Sequence, residues 1–232
     1  PYNKVIYKSD KAEKYKNALL KEISIYKEYL KNKNISSIYI GGGTPSILNE
    51  SQINEIFNLV RKYYNLSEIR ELTFEAGRPD TLTERKLDCL KENGVTRISI
   101  NPQTMNESTL KRIGRNHTAD DISDKYELAR KTGFDCINMD VILGLPGEDE
   151  YDVKNTITEI VRKRPENITV HSLAYKKKSE LTRESQSLSK DYDLIRKMHE
   201  IVRKECGSAG YSPYYMYLQQ NKDGRAETRA SP

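Results

Sequence analysis

The sequence predicts an α/β fold in which parallel strands, each followed by a helix, curl into a closed or nearly closed barrel. Two observations carry this. Apolar runs of strand length alternate with longer segments of helical period, the pattern of a parallel sheet wrapped by helices. The strand candidates are also apolar on one face only. Ile38 and Ile40, Leu72 and Phe74, Ile98 and Ile100, Ile137, Met139 and Val141, and Ile168 and Val170 share one side. Tyr39 and Gly41, Thr73 and Glu75, Arg97, Ser99 and Asn101, Asn138 and Asp140, and Thr169 and His171 share the other. Strands covered by helices on both sides are apolar on both faces, so a sheet enclosing a polar interior explains the mismatch. The alternative, an open sheet with one face in water, conflicts with the habit of βα units to cover both faces.

The elements follow in order. "KAEKYKNALLKEISIYKEYL" predicts a long amphipathic helix ahead of the first strand, Ser37 to Gly41. Further strands are expected over Glu71 to Glu75, Arg97 to Asn101, Cys136 to Ile142 and Ile168 to His171, with a weaker sixth over Tyr214 to Leu218. Thr81 with Glu84 is expected to cap "LTERKLDCLKEN", which Gly94 stops, and Thr118 with Asp121 opens "ADDISDKYELARKT", which Gly133 ends. Pro165 closes "YDVKNTITEIVRKR", and Gly207 is expected to close "YDLIRKMHEIVRKEC". No low-complexity linker divides the chain, so residues 1–224 read as one domain. Residues 225–232 form a polar tail without apolar period, expected to be disordered or foreign to the fold.

Composition narrows the function classes. The 232 residues carry a formal charge of +5 spread along the chain, which suits a soluble protein handling acidic small molecules and argues against nucleic acid. No run reaches the length of a membrane span, and the expected compartment is the cytoplasm. Cys89, Cys136 and Cys206 lie far apart with no ligand spacing and read as small apolar residues. The three histidines are equally scattered, and no metal site is expected from this chain's own residues.

In a βα-barrel, ligand groups come from the C-terminal ends of the strands. Gly41-Gly42-Gly43, Glu75, Asn101 with Gln103, Asp140, and His171 with Ala174 all fall there. The glycines match neither a P-loop nor a dinucleotide fingerprint. Adjacent glycines at a strand end are either a plain turn or a backbone surface that a ligand touches, and spacing alone leaves both open. Glu75 and Asp140 suit acid and base work, hydroxyl acceptance, or pairing with a cation such as Arg97 or Arg115. "GLPG" at Gly144 to Gly147 reads as the turn leaving a strand for a helix.

Five stretches together, "IYIGGGTPSIL", "ELTFEAGRPDTLT", "GVTRISINPQTMNESTLKRIGRNHT", "FDCINMDVILGLPGE" and "ITVHSLAYKKKSELT", resemble successive motifs of a known family. It is that of the radical S-adenosylmethionine enzymes related to oxygen-independent coproporphyrinogen III dehydrogenase (HemN/HemZ-like). The resemblance covers nearly the whole chain and implies a partial six-strand TIM-like barrel, open on one side. It implies that Gly42, Gly43 and Thr44 contact the amino group and methionyl part of S-adenosylmethionine, and that Glu75 helps hold it. Gln103 and Asp140 are then assigned to its ribose region, Arg115 to its carboxylate, and Ala174 to a backbone contact near the adenine. The family also binds a [4Fe–4S] cluster through Cys-x3-Cys-x2-Cys. That motif does not occur in this sequence, so the chain is expected to be a core fragment lacking the first strand and cluster loop, and inactive by itself.

The implied reaction of the intact protein is oxidative decarboxylation of coproporphyrinogen III to protoporphyrinogen IX, with the electron donor and acceptor unidentified. A porphyrinogen bearing four carboxylates favours a basic mouth, to which Lys176, Lys177 and Lys178 are candidates beside the plainer reading of a solvated run. Two rivals stand beside it. One is a haem chaperone built on the same barrel, and the other an unrelated βα-barrel enzyme using the glycines for phosphate.

Overall fold

The structure is a computed structural model that describes residues 9–31, 33–173 and 192–214. Its elements run α1 (Ser9–Leu30), β1 (Ser37–Ile40), α2 (Glu50–Tyr63), β2 (Glu71–Glu75), α3 (Glu84–Glu92), β3 (Arg97–Gln103), α4 (Glu107–Arg112), α5 (Ala119–Thr132), β4 (Cys136–Leu143), α6 (Glu150–Lys163), β5 (Asn167–Ser172) and α7 (Tyr192–Ser208). Short 3-10 turns at Pro45–Ile47 and Pro79–Thr81 follow the first two strands.

All neighbouring strands are parallel, in the order β1-β2-β3-β4-β5, and the sheet curls into a half-barrel with helices outside. The register aligns like with like. Ile40, Phe74, Ile98 and Ile137 form one apolar row, and Glu75, Ser99, Asn138 and Asn167 form a polar one. The apolar rows meet Ile53 and Phe57 of α2, Leu87 and Leu90 of α3, Ile122 and Tyr126 of α5, Ile157 and Ile160 of α6 and Met198 of α7 in a single core. Each fully buried aliphatic side chain there contributes about 2 kcal/mol relative to exposure. The polar rows line the concave side.

Caps fix where helices begin, and so how long each strand-end loop is. Asn49, Thr118 and Asp149 form reciprocal capping boxes with Gln52, Asp121 and Asp152. α5 ends at Gly133 with φ 85°, as its sequence predicts.

Three expected boundaries are corrected, two of helices and one of a strand. α3 is capped by Thr83, whose side chain accepts from Lys86 N, and not by Thr81, which lies inside the preceding 3-10 turn. α7 runs through Gly207 to Ser208, and Gly210, at φ 88°, ends it with Tyr211 N donating to Cys206 O at 3.0 Å. A helix tolerates glycine in its last turn; it is the left-handed residue after the turn that needs one. β3 extends to Gln103, past its expected end, through an irregularity between Ile100 and Gln103. The expected sixth strand lies outside the described residues except for Tyr214, which is not in a strand.

Candidate functional site

The three glycines after β1 do three different things. A Cβ on Gly41 would lie 2.3 Å from the Tyr39 ring and 3.0 Å from the Glu75 carboxyl group, so this position is small to let two polar-face side chains close over it. Gly42 has φ 129°, a conformation other residues rarely adopt. That conformation turns its N–H onto Glu75 Oε2 at 2.9 Å. Gly43 has neither constraint: among the described residues a Cβ there would meet nothing within 4 Å. Thr44 Oγ1 donates to Gly43 O at 2.6 Å.

Glu75 ends β2, and its second oxygen accepts from the Tyr39 hydroxyl. Its partners are thus an amide and a phenol. Neither arginine singled out from the sequence pairs with it: Arg97 pairs with Glu71 at 3.3 Å. Asp140, on the same face of β4, accepts from Asn138 Nδ2 at 2.6 Å. Asn138 Oδ1 in turn accepts from Thr169 Oγ1 at 2.7 Å and from Asn167. Burial pushes the Asp140 carboxyl above the usual carboxylate range, with the Asn138 hydrogen bond, His171 and Thr169 opposing and the charge of Glu75 adding to the rise.

Between these carboxylates stands β3. Asn101 Oδ1 and Ser99 Oγ are buried without hydrogen-bond partners among the described residues, while Asn101 Nδ2 presses on Gly77, where a Cβ would sit 2.6 Å away. Gln103 is buried at φ 69°, a strained backbone for a residue with a side chain. Arg115, half-buried after α4, makes no ion pair with the described carboxylates. Burial and then Arg78 hold its guanidinium below the usual arginine range, and Asp80 and Asp140 pull it back. His117 is 4% exposed, and among the described residues neither ring nitrogen makes a well-aligned hydrogen bond; burial and then Arg115 lower its pKa, with Asp80 and the Pro102 backbone opposing.

Gly42, Glu75, Asp140 and Arg115 therefore share one neighbourhood at the strand ends, with Gly43 and Thr44 next to Gly42, whereas Gln103 is buried in register with Val141 of the core face and makes no hydrogen bond with any of them. Ala174 and Lys176 to Lys178 lie outside the described residues. Sequence reasoning missed the Tyr39 contact to Glu75 and the buried His117. Alternation along β1 does place Tyr39 on the polar face, but no local pattern marks a buried histidine after a short helix.

Chemically, the row offers acceptors at Glu75, Asn101 and Asp140 beside the Arg115 guanidinium, which has no carboxylate partner among the described residues. This set fits a ligand carrying an amine, hydroxyls and a carboxylate, as S-adenosylmethionine does. It does not fit an iron–sulfur cluster. Among the described residues no three His, Cys, Asp or Glu side chains are grouped to hold a metal, and Cys89, Cys136 and Cys206 are free, the first buried.

Comparison with known proteins agrees with this architecture. Residues 6–160 match the family model of the Radical SAM superfamily. The chain is 40% identical over 204 residues to the oxygen-independent coproporphyrinogen-III oxidase-like protein HemZ of Bacillus subtilis, covering 86% of this chain and 41% of that protein. It is 30% identical over 217 residues to the heme chaperone HemW of the same organism, covering 92% and 57%. Among solved structures, coproporphyrinogen III oxidase (HemN) of Escherichia coli superposes with a TM-score of 0.79 at 24% identity, over 91% of this chain and 49% of that one. The chain thus spans roughly half the length of these relatives. With its half-barrel, its glycine loop at the first strand end and more than half its length within the family model, the chain belongs to the radical S-adenosylmethionine superfamily, whose members use that cofactor with a [4Fe–4S] cluster.

Proposed function

We propose that residues 1–224 form the S-adenosylmethionine-binding core of an oxidoreductase that decarboxylates the propionate side chains of coproporphyrinogen III. The observation that carries the cofactor assignment is the rim itself: Glu75 held by Gly42 N–H and Tyr39, Asp140 held by Asn138, and Arg115 without a carboxylate partner among the described residues. Arg115 takes the cofactor's carboxylate, Gly42 to Thr44 and Glu75 its amine and methionyl chain, and Asp140 and Gln103 its ribose hydroxyls, with Ala174 near the adenine. When bound, S-adenosylmethionine supplies the radical chemistry for which the superfamily is named. The chain's own residues bind and orient it. The sequence has no Cys-x3-Cys-x2-Cys, so this chain by itself binds cofactor without turning over.

The substrate rests on kinship with HemZ and HemN. Kinship with HemW favours a second reading, haem delivery on the same barrel. A decarboxylation assay run beside a haem-transfer assay on the cluster-loaded protein separates them. The phosphate reading loses its physical basis. Only a three-residue 3-10 turn follows the glycines, α2 opens on Asn49 and Glu50, and Gly42 N–H is already spent on a carboxylate.

Titration calorimetry of S-adenosylmethionine against wild type, Arg115→Ala and Asp140→Ala tests the assignment. Each substitution is expected to weaken binding about tenfold or more, the worth of one charge-assisted hydrogen bond. Unchanged affinity in both variants removes it.

A further inference from the structure

Lys86 is the least expected charge in the fold. It sits in the first turn of α3, 9% exposed, where the helix dipole disfavours a cation. Among the described residues no carboxylate lies within ion-pair distance of it. Burial pushes its ammonium below the usual lysine range, against the pull of Glu50 and Cys89. The ammonium donates instead to two backbone carbonyls, Ser46 O at 2.6 Å and Thr81 O at 3.1 Å.

Those carbonyls belong to different loops. Ser46, fully buried, lies just beyond Gly43 and Thr44, and Thr81 lies in the turn beyond Glu75. Their hydroxyls share a hydrogen bond of 2.6 Å, and Thr81 Oγ1 donates to Arg78 O at 2.7 Å. On the concave side the bond from Gly42 N to Glu75 joins the same two loops. The strand-end loops of β1 and β2 are therefore fastened at two levels, with Lys86 as the outer strut. For stability alone such a strut is a costly choice, because a buried ammonium without a counter-ion carries a desolvation cost that two carbonyl hydrogen bonds only partly offset.

We propose that Lys86 is a positioning residue. By holding Ser46 and Thr81 together it sets the Gly41–Thr44 backbone against Glu75, in the geometry that receives the α-amino-acid end of the nucleoside; this rests on the cofactor assignment above. Lys86 touches no ligand atom in this arrangement and acts only through the two loops.

The test compares the full chain with Lys86→Met, using S-adenosylmethionine and 5′-methylthioadenosine, which lacks the amino-acid end. The variant is expected to melt at a similar or slightly lower temperature, because Ser46 O and Thr81 O lose their donor, and to lose about tenfold in S-adenosylmethionine affinity, as misplacement of a positioned contact does. Its 5′-methylthioadenosine affinity stays within about twofold, because the adenosine contacts are untouched. Amide exchange across 41–46 and 77–82 is expected to quicken while α3 keeps its protection. Equal S-adenosylmethionine affinity, a parallel loss for both nucleosides, or unchanged loop exchange each overturns the proposal. If the wild type binds neither nucleoside, the cofactor assignment is what fails, and the exchange result still decides whether Lys86 sets the loop pair.

Discussion

At the scale of single residues the glycine run separates fold from ligand. Gly41 answers to packing, Gly42 to backbone conformation, and Gly43 to neither, since among the described residues nothing within 4 Å opposes a Cβ there. Gly41→Ala must displace the ring of Tyr39, itself 65% exposed, and the Glu75 carboxyl group, and because both can move a loss of about 1 kcal/mol is expected, at the low end for overpacked sites. Gly43→Ala is expected to leave the thermal midpoint unchanged or slightly raised, because it restricts the unfolded chain. It should nonetheless weaken S-adenosylmethionine binding, since a ligand seated on the glycine loop would occupy the space its methyl enters. Thermal unfolding and calorimetry on the two variants separate these effects, and a Gly43→Ala protein that binds as well as wild type shows the open space to be idle. The sequence shows three adjacent glycines and cannot tell them apart, because the difference lies in the neighbours that β2 brings alongside.

At the scale of elements, most of the fold is legible because two periodicities are clean. Alternation marks β2 to β5 and sorts their faces correctly, and a cap marks α5. What is not legible depends on contacts between elements. Thr104, just past β3, donates to Glu148 Oε1 at 2.5 Å, and Thr156 of α6 lies 3.2 Å from Thr104 Oγ1 and accepts from Met105 N at 3.1 Å. Asn106, the cap of α4, donates to Asp152 of α6 at 2.7 Å. This brace ties the loop after β3 to the start of α6 across a long sequence separation, and "GLPGE" by itself reads as a bare turn. Burial pushes the Glu148 carboxyl above its ordinary value of 4.5, with Thr104 and Thr109 opposing. A carboxyl whose folded pKa is raised stabilises the fold most below the unfolded value, and that contribution is lost as pH rises through the folded value. Glu148→Gln cannot ionise, so the wild type should lose stability relative to it as pH climbs from 4.5. Urea melts of both proteins across that range check the sign, and a pH-independent difference refutes it.

At the scale of the whole molecule, the sheet is graded from one edge inward. β1 alternates exposed and half-buried residues, with Tyr39 65% exposed. β3 buries Ile98 and Ile100 completely and pairs on both sides with β2 and β4. Local opening therefore takes less free energy at β1 than at β3, whose exposure requires breaking the core. Native-state amide exchange is expected to rank β3 and β4 slowest, β2 intermediate and β1 fastest. The gradient bears on function because Gly42 and its neighbours extend from the least protected strand, and their geometry depends on Glu75 of β2. A ligand that bridges the rim from Gly42 to Asp140 should slow exchange in β1 and its glycine loop far more than in β3, where little opening remains to suppress. Saturating S-adenosylmethionine should thus flatten the gradient from the β1 side. Uniform protection, or protection confined to β4 and β5, would place the ligand elsewhere than at the glycine loop.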